Sequence, residues 1–242
     1  MLDLVIYFAV SVVFVVLFTF EVIVPASGND CDKRWQIYAS SISALQLFIA
    51  LFAGWLFEDF FRENSWFALP QTTPIATAAL LSFLVSSCIA YWWHRLTHYS
   101  DLLWRVFHQL HHSPRRVESL TAFYVHPFDG LAANVLNAFV AFMVLGLTLE
   151  AAAMALGLAA IYNLYIHSDT RSPKWLGFLV QRPEMHRVHH ESGHHAGNYG
   201  LPIWDLLFGT FTNPDVAPRD VGFAPEKEAR IRDMLLMKDV DG

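Results

Sequence analysis

Histidine is the residue type in this chain that could do chemistry, and it is confined. All twelve histidines lie between His94 and His195. Three runs stand out: His94-Arg-Leu-Thr-His98, His108-Gln-Leu-His111-His112 and His186-Arg-Val-His189-His190. His126 and His167 stand alone, and His194-His195 trails the third run. Residues at i, i+3 and i+4 share one face of a helix, so each run can turn its imidazoles toward a common centre. Neutral imidazole is the commonest nitrogen ligand for iron, zinc and copper. The eight histidines of the three runs exceed what one tetrahedral site takes, which implies two metals. A lone interfacial histidine more often packs or caps. His126 precedes Pro127-Phe128-Asp129, a helix-start or loop pattern, and flexible Glu191-Ser192-Gly193 separates His194 and His195 from the third run. These three stay open as ligands.

The elements that must position these runs are membrane helices. The chain has 242 residues, 55% hydrophobic and only 16% charged, with the charged share well below the roughly 25% of a soluble domain. That excludes disorder and argues against a water-soluble globule. A net charge of −6 and the lack of a basic stripe exclude a nucleic-acid partner. Two cysteines, Cys31 and Cys88, are too few for a disulfide framework or a zinc ribbon. Apolar runs of roughly 20 residues mark spans. They cover 4–24, 37–57 and 74–93, followed by a hairpin of 131–149 and 151–166 turning at Glu150. Residues 175–180 are apolar but too short to span, and read as interfacial. Residues 226–238 look like a solvated amphipathic helix. The first span lacks the basic start and the short apolar stretch of a signal peptide, so it reads as retained.

Basic residues orient the spans. Alternate loops carry 15 of the 16 lysines and arginines, with Arg62 the exception. Five spans with the N-terminus outside satisfy this pattern and place every histidine run on the cytoplasmic side. The His94 run directly follows Tyr91-Trp92-Trp93, an aromatic belt at headgroup level. The expected fold is an all-α integral membrane protein. It has four to five transmembrane helices and a cytosolic helical cap carrying the histidine runs. Residues 1–73 form membrane helices, 74–213 the histidine-bearing catalytic domain, and 214–242 a polar tail. No repeat or low-complexity tract is present.

HxxxH, HxxHH and HxxHH after membrane spans resemble the fatty acid hydroxylase/sterol desaturase superfamily. The resemblance extends to His112-Ser113, His167-Ser168 and Asn198-Tyr199-Gly200, and on to Trp204-Asp205-Leu206-Leu207-Phe208-Gly209-Thr210-Phe211. It covers about residues 74–213. It implies that His94, His98, His108, His111, His112, His186, His189 and His190 are metal ligands, with His167 the ninth. Some members carry HxxxH at the hairpin's end; this chain has Asn163 in the first position, so a tenth ligand stays open. The resemblance further implies a non-haem di-iron centre, in sites that can retain zinc on purification. That centre would use O2 to hydroxylate or desaturate a lipid C–H bond. No haem, flavin or nucleotide motif is visible, so a separate carrier, cytochrome b5-like or ferredoxin-like, is expected to bring electrons. The segment 198–211 is expected to pack as a cap through Trp204, Leu206, Leu207 and Phe208, with Asp205 orienting a ligand from behind. Arg95, Arg187 and Glu191 read as surface or supporting residues.

Two other classes compete. A His-rich metal transporter needs polar ligands at mid-depth on facing spans, where only Gln46, Asn134 and Asn137 stand out. A zinc-dependent membrane hydrolase needs a carboxylate base beside an open zinc position, with Glu184 or Glu191 as candidates. Small size and the lack of an endoplasmic-reticulum retrieval signal favour a bacterial inner membrane.

Overall fold

The computed structural model describes residues 2–29, 33–70 and 72–241, so Cys31 lies outside the described residues. Among the described residues five helices are long and apolar enough to cross a membrane. They are α1 (Leu2–Ile23), α2 (Lys33–Glu63), α3 (Ile75–Tyr99), α4 (Pro127–Ala138), which a π-turn extends to Val144, and α5 (Leu149–His167). Two short helices, α6 (Pro183–His189) and α7 (Pro202–Phe208), follow. Among the described residues the strand pairing is an isolated bridge between Glu191 and Val221. The protein is therefore an all-α integral membrane protein. Its long helices turn large apolar side chains outward: Phe8 is 72% and Trp55 78% exposed, as expected where the solvent is lipid.

The helices are longer than the apolar runs that announce them. Span three continues past Trp93 to Tyr99, so His94 and His98 ride on the spanning helix itself. The hairpin turns earlier than Glu150. Its first arm starts at Pro127, ends in the π-turn Phe139–Val144, and reverses around Gly146, whose φ of +58° suits glycine. Thr148 caps α5 by accepting the Ala151 N–H at 3.3 Å. Glu150 belongs to the first turn of α5, where a carboxylate suits the positive helix end.

Two apolar cores mark the two ends of the bundle. At one end Phe61, Ala78, Val140, Leu145 and Ala151 pack together. At the other, Trp35, Ala39 and Ile42 from the start of α2 pack with Leu110, Tyr124, Phe223 and Met234. The segment 226–238 is thus not one solvated helix. It is two short helices, Pro225–Glu228 and Ile231–Leu235, with Met234 buried. Gln109 fastens it, donating to the Lys238 carbonyl at 2.7 Å and accepting from the Val240 N–H at 3.3 Å. The end of α1 is fastened by Glu21. Its buried carboxylate accepts from the Ser119 N–H and hydroxyl and from the Asp169 N–H at 3.0–3.1 Å. Asp169 in turn pairs with Arg116 at 3.1 Å and Arg187 at 3.3 Å.

Candidate metal centre

The nine histidines expected to act together meet at the second end, in two clusters. His94, His98, His108, His112 and His189 bring five ring nitrogens within 4.8 Å of one another; His111, His167, His186 and His190 do the same with four. The division follows helix geometry. Adjacent residues of a helix point about 100° apart, whereas i and i+4 nearly coincide. His94/His98 and His108/His112 are therefore both i, i+4 pairs of the five-fold cluster, and His186/His190 is the pair of the four-fold one. His111 and His189, the inner members of their runs, face across to the other cluster. Each HxxHH run straddles both centres rather than aiming at one. A π-turn over Trp104–His108 leads directly into the second run, the kind of irregularity common at functional sites.

Hydrogen bonding at the outer nitrogens fixes which nitrogens are bare. The Nδ1–H of His94 donates to the Tyr199 carbonyl and that of His189 to the Gly197 carbonyl, both at 2.8 Å. His167 Nδ1–H donates to the Asn163 carbonyl at 2.8 Å and His111 Nδ1–H to the Tyr124 carbonyl at 3.4 Å. A carbonyl only accepts, so in each neutral ring the proton sits on Nδ1 and Nε2 is a bare lone pair. In the five-fold cluster the Nε2 atoms of His94, His98, His108, His112 and His189 are all buried without a hydrogen-bond partner. In the four-fold cluster the bare Nε2 atoms of His111 and His167 face each other at 3.1 Å, and His186 Nε2 lies 2.8 Å from His167 and 3.1 Å from His190. Buried lone pairs that face one another are costly unless a cation lies among them. Burial, with neighbouring imidazoles adding to it, pushes the pKa values of His108, His111, His112, His186, His189 and His190 well below the usual 6.5. The rings stay neutral, the form that binds metal. The donor set therefore fits two metal ions.

The remaining candidates have other work. His126 caps α4, its Nδ1 accepting the Phe128 N–H at 3.2 Å. His195 backs the five-fold cluster, Nδ1 to Nδ1 with His112 at 3.1 Å, and His194 is exposed. Asn163 donates its amide to the Ala122 carbonyl at 2.7 Å and serves His167 through its backbone. Asp205 touches no histidine. It accepts from the Tyr199 N–H at 2.8 Å, the Gly200 N–H at 3.2 Å and the Thr210 hydroxyl at 2.7 Å, so it holds the loop whose Tyr199 carbonyl meets His94. Burial pushes its carboxyl up to about 6. Arg187 pairs with Asp169, and Arg95 reaches the Tyr91 hydroxyl at 3.2 Å.

Asp129 is the residue that sequence reasoning passed over. Its carboxylate lies 3.4 Å from His108 Nδ1 and 3.4 Å from the Trp93 indole N–H. Only its place one turn into a helix capped by His126 hinted at this, since nothing in the spacing relates it to His108. Two rings also flank the five-fold cluster. Tyr199 lies 5.4–5.5 Å from His94, His98 and His189, and Trp104 lies 5.1 Å from both His98 and His112.

Residues 79–210 match the family model described as fatty acid hydroxylase, more than half of the chain. The chain belongs to the fatty acid hydroxylase family. Among curated members, this fatty acid hydroxylase homologue is 28% identical to the sphingolipid C4-hydroxylase sur2 of Schizosaccharomyces pombe, an alignment covering 65% of this chain and 59% of that protein. It is 34% identical to the ornithine lipid hydroxylase OlsE of Rhizobium tropici, over 60% of this chain and 45% of that one. It is 29% identical to the alkylglycerol monooxygenase of Danio rerio, over 54% and 30% respectively. The chain thus spans less than two thirds of the relatives it matches. No solved structure matches it.

Proposed function

We propose that this protein is a membrane-bound non-haem di-iron oxygenase that hydroxylates a C–H bond of a membrane lipid, using O2 and electrons from a separate cytochrome b5-like or ferredoxin-like carrier. The observation that carries the reading is the pair of buried histidine clusters with bare, facing nitrogens. His94, His98, His108, His112 and His189 would hold one iron, and His111, His167, His186 and His190 the other. Bound there, the two irons supply the activation of O2 that an unactivated C–H bond requires. The chain's own residues do the rest. Carbonyls of Tyr199, Gly197, Asn163 and Tyr124 fix the ring orientations, and Asp129 holds His108. Tyr199 and Trp104 shield the five-fold cluster from water. The relatives named as a sphingolipid C4-hydroxylase and an ornithine lipid hydroxylase favour hydroxylation over desaturation. The asymmetry of lysine and arginine between loops supports a cytoplasmic site.

The competing classes find less support. Asn134 and Asn137 donate to carbonyls of their own helix at 2.7 and 2.8 Å and Gln46 to the Val125 carbonyl at 2.8 Å, while both histidine clusters gather at one end of the bundle, a placement that suits a catalytic centre better than a transport path. Glu184 accepts from the Ser172 N–H and hydroxyl at 2.8 Å and pairs with Arg182 at 3.0 Å, so it is committed away from either cluster. Lipid mass spectrometry of cells with and without the protein tests the proposal. The expected result is a lipid heavier by one oxygen atom that requires the protein. An unchanged lipidome with iron-loaded protein and a working electron donor would overturn it.

A further inference from the structure

Leu206 and Leu207 do not pack inward as the cap reading requires. Leu206 is 53%, Leu207 66% and Ile203 57% exposed, while the other face of α7 is docked on α3. Trp204 donates its indole N–H to the Ser87 hydroxyl at 3.0 Å, and the Phe208 ring lies 4.7 Å from Trp92 and 5.2 Å from Tyr91. Gly200 permits this approach, since a Cβ there would stand 3.3 Å from that of Tyr91. Ser87 is the central residue of the 25-residue spanning helix α3. It precedes His94 by seven residues, about 10 Å along the axis at about 1.5 Å per residue. A hydrocarbon layer about 30 Å thick, spanned by roughly 20 residues, therefore includes the depth at which Trp204 meets α3. Through Phe208 α7 adjoins the exposed Trp92 of α3, a helix that also exposes Leu84 and Ile89. A second apolar piece, the 3-10 turn Lys174–Phe178, joins it through the Phe178 and Phe211 rings at 5.7 Å and leaves Trp175 and Leu179 exposed.

We propose that α7, with the 174–179 turn beside it, is a non-spanning element immersed in the bilayer, with Ile203, Leu206 and Leu207 docked against lipid acyl chains. The depth set by Ser87 and the contact of Phe208 with the exposed Trp92 of α3 favour lipid over water or a second copy of the chain. The loop that feeds α7 carries Tyr199, whose ring touches three histidines of the five-fold cluster, so the immersed surface adjoins the metal centre. The histidine end is then sunk into one leaflet rather than raised above it.

Spin labels test this on the full chain in phospholipid vesicles, in a Cys31→Ser, Cys88→Ser background. Labels at Ile203→Cys and Leu207→Cys are compared with Leu84→Cys on the lipid face of α3 and with Glu226→Cys on the exposed tail. The expected result is a ratio of collisions with O2 to collisions with a water-soluble nickel chelate that matches Leu84→Cys and lies well above Glu226→Cys. A ratio equal to that of Glu226→Cys would put α7 in water. Low collision with both reagents would put it under a second protein surface. Either outcome overturns the proposal. The readout does not depend on catalysis, so failure of the oxygenase reading would leave it unmoved.

Discussion

The two histidine clusters are built from the same residue type and share two short runs, 108–112 and 186–190, yet they differ in how much they hold in reserve. The five-fold cluster has one donor more than a tetrahedral site takes, and its outer nitrogens are tied to two carbonyls, to Asp129 and to His195. The four-fold cluster has no spare donor, and the Nδ1 atoms of His186 and His190 are buried without partners. Redundancy and rear support go together in the first; the second is supported from behind at His111 and His167 alone, which makes it the vulnerable one. Reserve also predicts chemistry, because a cluster with fewer protein donors leaves more of its metal open to small molecules.

Single substitutions break this comparison most sharply. His186→Ala should reduce iron from two per chain to about one and abolish lipid oxidation. Its effect should exceed the roughly 10–100-fold that follows loss of an outer partner. His98→Ala, which leaves four donors in its cluster, should keep nearly two irons with reduced turnover. Iron analysis of the two purified variants decides, and equal iron loss in both would remove the asymmetry.

Asp129 gives the next largest effect. Asp129→Ala should weaken iron binding at the five-fold cluster by about 10–100-fold while leaving the other unchanged, and Asp129→Asn should recover part of it because its amide oxygen still accepts from His108. Chelator competition measures this, and a purely structural role would show both clusters weakened together.

Acid acts on both clusters. The buried rings have pKa values below the ordinary 6.5, so between those values the unfolded chain binds more protons than the native one. Stability of the iron-free protein should therefore be level above about pH 6.5 and fall as pH drops below it. Thermal unfolding across that range checks the sign, and stability that rises on acidification would contradict burial of neutral rings.

The smallest effect belongs to the far end of the bundle. Thr148→Ala removes the α5 cap and should cost about 1 kcal/mol with iron content unchanged. Loss of iron in this variant would show that the two ends are coupled.

Much of this was legible in the residues. Apolar runs found all five spanning helices, because length and hydrophobicity alone decide what can cross a bilayer. Spacing groups the eight histidines of the three runs and the family resemblance adds His167, but neither gives their partition, which depends on the 100° step between neighbours such as His111 and His112 and on where two runs cross in space. A lone charge that interrupts an apolar run points to a turn at Glu150. The reversal is instead made by Gly146 and capped by Thr148, features that weigh little on a hydropathy scale. Asp129 and the Tyr199 carbonyl were invisible for a common reason. They support their histidines across 21 and 105 residues of chain, and no local pattern records such a contact. Leu206 and Leu207 read as core because leucine is apolar, and composition does not distinguish a protein core from an acyl-chain environment.

Two metal sites and one large site built from the same nine histidines differ in how much iron they hold. Iron quantitation on the 242-residue chain, loaded anaerobically with ferrous iron and freed of excess, separates the two. Two tightly held irons per chain is the predicted result. One iron per chain, or none, would rule out two sites.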